Sequence, residues 1–421
     1  MLNTYYSHRK HLILNIVNYL GPISRTKLIS LTDYRPATVG ELTKELLEEK
    51  LLVETGFYSS GHGRKRALLA INNEHLCAIG IAFSSTSVVY TVTQFDGGIL
   101  CRKETVFSPS MPKEELASQI IRQTSLLIED NLHRLIVGIG ISAPLYGPGY
   151  YMEGTSSYEQ FIHWLLEGLT PSMQQAFPYP VRTFSAVTLP ALVEQRFGRA
   201  KGIDNFFCVE LSNGIGCSIC CNGRVVAGSS GVAGEMGHTV IDASETGGKL
   251  CYCGKPGCVE RTTAFPALSE EILSALKQGV HSVLNTFYDP SLPLTVQDIR
   301  RALDEEDKLC RHCVKRAAQR IGIAIANTVN LLNPEMVVLY GFMLELGDYF
   351  VSNLCDSIRE KVITMAQRFQ IQISASLENT LPLGAAAEMF SDYLRIEEFK
   401  WVYHLQPSEL DSESGQEDPT A

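Results

Sequence analysis

Three cysteines fall inside eight residues in the stretch Cys251-Tyr-Cys-Gly-Lys-Pro-Gly-Cys-Val-Glu260. The glycines and proline between them are what a tight loop needs. Just upstream runs Gly234-Glu-Met-Gly-His238. Neutral imidazole and thiolate are the ligands zinc prefers, and four of them close a tetrahedral structural site. His238, Cys251, Cys253 and Cys258 would supply one nitrogen and three sulfurs. Gly254 and Gly257 permit the backbone turns that fold three thiolates around one ion. The alternative is a loop with incidental thiols or a disulfide, against which the clustered spacing argues.

The wider composition agrees with metal. Twelve cysteines in a 421-residue chain argue for thiols and metal ligands over a disulfide framework, given an N-terminus, Met1 to Lys10, that lacks the apolar core of a signal peptide. No apolar run approaches the ~20 residues of a membrane span. These features predict a cytoplasmic protein with no membrane insertion and room for two or three domains. Net charge is −10, yet residues 1–74 carry ten Lys/Arg and seven Asp/Glu, or +3, leaving −13 for the remainder. A basic head on an acidic body suits a DNA partner for the head, although +3 is a weak bias.

The pattern along the head is more specific. Apolar positions Leu12, Leu14, Ile16, Val17 and Leu20 form a helical stripe that Gly21-Pro22 stops. Ser24 can cap a second helix, Arg25 to Leu31. Asp33-Tyr34 turns the chain, and Pro36 opens a third helix to about Glu49. Two strands follow, Leu51–Glu54 and Ala67–Ile71. Between them a glycine-rich loop carries Arg64, Lys65 and Arg66, whose charges suit phosphate. This reads as a winged helix-turn-helix, with a small helical dimerisation module as the alternative.

The body starts near Leu76, after an Asn72-Asn73-Glu74 linker. Strands at 77–83, 88–92 and 99–105, a helix at 113–131 and a buried strand at 135–142 open it. Glycines alternate in that last strand, where a ligand or backbone approaches closely. Later come strands at 205–211, 217–221 and 225–227, and a long helix from about Glu305 to Leu332. A strand at 336–340, a helix at 349–365, a strand at 370–375 and a helix at 383–393 complete it. Cys310 and Cys313 sit in the long helix at a spacing that makes core thiols the simpler reading than a redox or metal pair. Residues 405–421 are acidic and without apolar pattern, which predicts a disordered tail.

The motif C-x-C-G-x-x-G-C-x-E after G-E-x-G-H resembles the signature of the ROK family of sugar-responsive repressors and sugar kinases. The likeness runs from the N-terminal helices to Gly384-Ala-Ala-Ala387. The kinases lack the N-terminal extension, so the repressor branch is the better match. The resemblance implies an α/β chain: a winged helix-turn-helix over 1–74, then an actin-like, ribonuclease-H-like, two-lobed ATPase-type domain over 75–400, with a zinc loop at 238–260. It implies one structural Zn2+ per chain. It implies sugar contacts from Glu235, His238 and Glu260, the histidine turning one ring nitrogen to zinc and the other to the sugar. Leu28 to Leu52 resembles the DNA-binding end, making Arg35, Thr38, Thr43 and Lys44 the groove-side candidates.

The resemblance also supplies a test for catalysis. Family kinases open with an Asp-x-Gly-Gly-Thr turn; the matching stretch here is Ala82-Phe-Ser-Ser-Thr86. A second phosphate loop survives partly as Ser212-Asn-Gly-Ile-Gly216. The family's catalytic aspartate follows an asparagine, eight residues before a glutamate that precedes Phe-Gly. Counting back from Glu194 gives Ser185-Ala186, and no aspartate lies between Asp130 and Asp204. Phosphoryl transfer needs both a metal-phosphate clamp and a base. The expectation is a non-catalytic homodimeric or homotetrameric repressor of carbohydrate uptake or metabolism genes. Its partners would be an operator duplex and a sugar or sugar-phosphate effector. The alternatives are a degenerate sugar kinase, and a regulator titrated by a protein such as a sugar-uptake phosphotransferase component.

Overall fold

The computed structural model describes residues 2–58, 66–84, 86–108, 110–143, 161–229, 231–242, 249–251, 253–374 and 379–394. Helix α1, Leu2–Leu20, ends at Gly21-Pro22 and buries Ile13, Leu14, Ile16 and Val17. Helix α2, Arg25–Thr32, is capped by the Ser24 hydroxyl, which accepts from the Lys27 N–H at 3.3 Å. Asp33 takes a left-handed turn at φ 54° and leads to α3, Pro36–Glu48, with proline in its first turn. Leu28, Val39, Leu42 and Leu46 fill the space between these helices and are fully buried.

Strands β1 (Ile23–Ser24), β2 (Leu52–Tyr58) and β3 (Arg66–Ile71) form an antiparallel sheet in the order β1-β3-β2. Strand β2 runs four residues beyond the sequence expectation because Gly56, Phe57 and Tyr58 find ladder partners on β3, past a register shift between Glu54 and Gly56. Strand β1 escaped the sequence reading because two residues carry no periodicity. Arg64 and Lys65 lie outside the described residues, as does the side chain of Arg66.

The chain divides into two compact units. One comprises the described residues of Met1–Ile141, Thr170–Arg182 and Ala385–Ala421, the other Ser142–Leu169 and Thr183–Gly384. In the first, β4 (Leu76–Phe83), β5 (Ser87–Gln94) and β6 (Ile99–Val106) form an antiparallel meander. Helix α4 (Lys113–Glu129) follows, then β7 (Leu135–Ala143) and β8 (Val181–Ser185), giving the strand order β6-β5-β4-β7-β8. The expected close approach in β7 is made by backbone. A Cβ at Gly140 would collide with the carbonyl oxygen of Ala385, on the last helix, Thr380–Leu394.

The second unit repeats the plan. Strands β9 (Phe206–Leu211), β10 (Ile215–Cys221) and β11 (Arg224–Val226) form an antiparallel meander, and β12 (Met336–Tyr340) and β13 (Gln370–Ile373) extend it in parallel. The order β11-β10-β9-β12-β13 is that of the first sheet, strand for strand. Helices α5 (Thr170–Ala176) and α6 (Leu189–Arg196) precede this sheet in the chain. Helices α7 (Val259–Thr263), α8 (Phe265–Lys277), α9 (Val296–Asp304), α10 (Lys308–Leu332) and α11 (Asp348–Lys361) follow its meander, and α12 is the Thr380–Leu394 helix. Among the described residues no helix is long and apolar enough to cross a membrane.

Helix α10 organises the second core. Twelve of its residues are buried, including Ile321, Ile325 and Val329. Cys310 and Cys313 are 0% and 2% exposed, as core thiols should be, and burial pushes Cys313 up to about 12. The helix begins at Asp307, whose carboxylate accepts from the N–H groups of Cys310 and Val283, both at 2.8 Å. Burial raises that carboxyl, but the two backbone donors outweigh it and hold it below the usual carboxylate range. A depressed carboxyl contributes stability above its unfolded pKa of ~3.9 and loses it as pH falls through the folded value. Asp307→Ala is therefore expected to cost about 1–2 kcal/mol at neutral pH. The gap between variant and wild type should close on acidification below about pH 4; a pH series of denaturant melts would check both.

Candidate metal centre and effector site

His238 ends a 3-10 turn, Met236–His238, that lies hard against β10. The contact requires glycine: Gly234 has φ 95°, and a Cβ there would collide with the Cys217 carbonyl oxygen. The loop that follows closes on itself. The Cys251 N–H donates to Lys255 O at 2.9 Å and the Gly254 N–H to Cys251 O at 3.0 Å. Isolated bridges join Val240 to Cys258 and Leu250 to Pro256. Gly257, at φ 81°, leaves room for the Asp242 carbonyl that a Cβ would strike. Cys258 then stands directly before α7.

These turns bring the ligand atoms of His238, Cys251, Cys253 and Cys258 within 4.8 Å of one another. Tetrahedral zinc, with Zn–S near 2.3 Å and Zn–N near 2.0 Å, places sulfurs about 3.8 Å apart and nitrogen about 3.5 Å from sulfur. Cys253 Sγ lies 3.5 Å from Cys258 Sγ, and Cys251 Sγ lies 3.5 Å from His238 Nδ1. A disulfide would need about 2.05 Å, and all twelve cysteines are free. The donor set therefore fits zinc. Burial and the two neighbouring sulfurs push the Cys258 thiol up to about 12. The bound ion would hold such thiols as thiolates.

The same turn aims the other face of the imidazole at a carboxylate. His238 Nε2 lies 3.6 Å from Glu235 Oε2. Burial raises the Glu235 carboxyl; His238 pulls it down and Glu260 pushes it further up. Glu260, on α7, accepts the Ile215 N–H at 2.8 Å and packs its Cβ toward Gly237. The structure thus brings Glu235, His238 and Glu260 near one another. Sequence reasoning missed Glu210 on β9. Its carboxyl is raised by burial, lowered by the Ser212 hydroxyl and raised again by Glu260. A lone acid in the apolar run Phe206-Phe-Cys-Val-Glu-Leu211 was the available signal.

Several backbone groups in the loops expected to match phosphate and base motifs are satisfied from within. After β4, with Ala82 buried, the Ser84 hydroxyl accepts the N–H groups of Ser87 at 2.9 Å and Thr86 at 3.3 Å. In Ser212–Gly216 the Ile215 amide is held by Glu260, and the Ser212 N–H donates to Gly214 O at 3.1 Å. Ser185 ends β8, and the Ala186 N–H donates to Ala143 O at 2.7 Å.

In the head, Arg35 and Lys44 are exposed and Thr38 is half-buried. Thr43 corrects the sequence reading. It is 0% exposed, its hydroxyl donating to Val39 O at 2.8 Å and accepting from Arg25 Nε at 3.0 Å. Helical periodicity places position 43 beside Leu42 and Leu46 on the core-facing flank, so it cannot present to a groove. Arg25 is also bonded to Glu54.

Residues 78–392 match the ROK family. The chain belongs to that family. It is 30% identical over 397 residues to the xylose repressor of Caldicellulosiruptor bescii, covering 93% of this chain and 97% of that one. It is 24% identical over 380 residues to the DNA-binding transcriptional dual regulator NagC of Escherichia coli, covering 89% and 90%. Its fold matches the crystal structure of a ROK family transcriptional regulator described as a homologue of the E. coli MLC protein. There the TM-score is 0.74 at 22% identity, with 92% of this chain and 97% of that chain covered.

Purified ROK chain is expected to carry about one zinc. Changing Cys251, Cys253 and Cys258 together to serine should remove it, as read by metal analysis of the folded protein. Equal zinc in that variant and wild type would refute the assignment.

Proposed function

We propose that this ROK chain is a transcriptional repressor of sugar-utilisation genes, with a DNA-binding head over 1–74 and a zinc-shaped effector site in the body. The observation that carries the reading is the reach of the similarity: the xylose repressor is matched over 97% of its own length, head included. The antiparallel β1-β3-β2 sheet beside α2 and α3 supports a winged helix-turn-helix. Arg35, Thr38 and Lys44 are the candidate groove contacts on α3, and Arg64, Lys65 and Arg66 the candidate phosphate contacts of the wing. Paired half-sites in an operator would call for a homodimer.

Effector binding is assigned to Glu235, His238 and Glu260. Neutral sugar hydroxyls can donate to both carboxylates, and the metal ligand His238 fixes the third contact. The ion would act by holding the loop and orienting the imidazole. Catalysis is not part of the proposal, because Ala82 and Ala186 offer neither the clamp nor the base and their loops are closed by internal hydrogen bonds. Ala186 also favours a second reading, in which a protein partner titrates the regulator without any small ligand.

The test is selection of a random duplex library by the full-length protein, followed by binding of the enriched duplex across a salt series. Affinity should fall steeply with salt. Changing Arg64, Lys65 and Arg66 to alanine should flatten the slope by about one per lost phosphate contact. A panel of free pentoses, hexoses, amino sugars and their phosphates should contain one compound that alters duplex binding. Glu235→Gln should abolish that response and keep duplex affinity. If no duplex is enriched, the repressor reading fails; if duplex binding ignores the whole panel, the protein-titrated reading replaces the sugar-responsive one.

A further inference from the structure

Helix α3 carries a glycine that the fold does not use. Gly40 lies near the middle of Pro36–Glu48, exposed on the flank of the buried stripe of Val39, Leu42, Thr43 and Leu46. A Cβ built there meets nothing within 4 Å. No neighbouring backbone, turn or positive φ asks for glycine at this position. Glycine is nonetheless the poorest helix former after proline, because the unfolded chain has the most freedom to lose. The head therefore carries an unfavourable residue with no return in its own packing.

The charges along α3 say which part of the exposed face can approach an anion. No acid lies in the first turn. Glu45 and Glu49 are drawn aside to Lys10 of α1, at 2.7 Å and 2.6 Å. Lys44 lies 3.7 Å from Glu48 near the far end of the helix. The bare stretch is therefore the N-terminal half, between Arg35 and Lys44, with Gly40 inside it. Glu41 is the one acid there, one residue round the helix from the glycine.

We infer that Gly40 is the point of closest approach between α3 and the major groove of a bound duplex, and that its missing side chain is a determinant of binding. This rests on the DNA-binding reading of the head. Absence of a Cβ lets the helix backbone seat deeper between the phosphate ridges, and Arg35 and Lys44 then reach the groove on either side. A methyl group would hold the helix away and lengthen every contact the neighbouring side chains make.

The experiment uses the full-length protein and the duplex enriched from a random library by wild type. Gly40→Ala should leave the melting temperature unchanged or raise it by a few degrees, since alanine is the better helix former and touches nothing. It should weaken duplex binding by about tenfold or more, in the range of one lost base contact. Gly40→Leu should weaken it further while remaining folded. Binding equal to wild type in both variants overturns the inference, since the glycine would then be neutral. A drop in melting temperature that accompanies weaker binding overturns it as well, since the glycine would then serve the fold. Failure of wild type to enrich any duplex sinks the DNA-binding reading itself, and this inference with it.

Discussion

The convergence of His238 with Cys251, Cys253 and Cys258 is the constraint on which the second unit's site depends. Among the described residues, the segment between β11 and α8 contains one short 3-10 turn, one short helix and loops. Among the described residues the ion pairs that tie it to α8 and α10, Lys249 and Arg261 to Glu270 and Asp242 to Arg320, are partly or fully exposed, and such pairs contribute about 0–1 kcal/mol each. Structural zinc in small peptides contributes of order 10–16 kcal/mol at neutral pH. A bound ion would therefore outweigh those pairs in positioning Glu235 and Glu260 relative to His238. Glu235 sits three residues before His238 and Glu260 two residues after Cys258, so a bound ion would add to the scaffold that β10 and the Ile215 amide already give these carboxylates.

In the first unit the head is anchored through helices as well as through the linker at 72–74, whose Asn72 N–H donates to Leu51 O at 3.0 Å and whose Glu74 carbonyl accepts from Arg134. Asn15 on α1 donates to the Leu394 carbonyl at the end of α12, and His11 packs edge-on against Tyr393 with ring centroids 5.8 Å apart. Helix α12 in turn seats on β7 at Gly138 and Gly140 and places Phe390 against Phe95. From α1, Lys10 reaches Glu45 and Glu49 on α3. The orientation of α3 is thus fixed by a chain of contacts that begins on the central sheet. The two outer links of that chain are polar, and polar links between partly exposed groups are the ones that can be remade at small cost.

The sequence announced the parts of this molecule that depend on residue type, and hid those that depend on pairing. Residue spacing revealed the clustering of His238, Cys251, Cys253 and Cys258 because cysteines and glycines at those intervals have few other uses. Ser24, Pro36 and Gly21-Pro22 marked the helix ends because capping and proline sterics are local. Strand β1 and the extension of β2 were invisible, since both owe their existence to β3, some distance along the chain. Thr43 was misplaced for a related reason: a small polar residue on a helix flank is exposed or buried according to what packs beside it, here Arg25. Glu210 was legible as an anomaly in an apolar strand, but its link to Glu260 required the fold.

The energetic demand on a regulator differs from that on an enzyme. In an enzyme the contacts to substrate must strengthen in the transition state. In a regulator the same contacts must differ between the DNA-competent and released states, because a ligand that binds both equally shifts nothing. Moving such an equilibrium from 1:99 to 99:1 takes about 5.5 kcal/mol of differential binding. Hydrogen bonds to charged groups contribute roughly 1.5–3 kcal/mol each. Three such contacts would thus be enough to drive a switch, provided that they engage the effector in one state only. Glu260 is the residue best placed to impose that condition. Its carboxylate already holds the Ile215 amide in the loop between β9 and β10, so an effector hydroxyl that recruits it must either share that bond or take it. Effector binding at Glu260 would then be coupled to that loop through a single carboxylate.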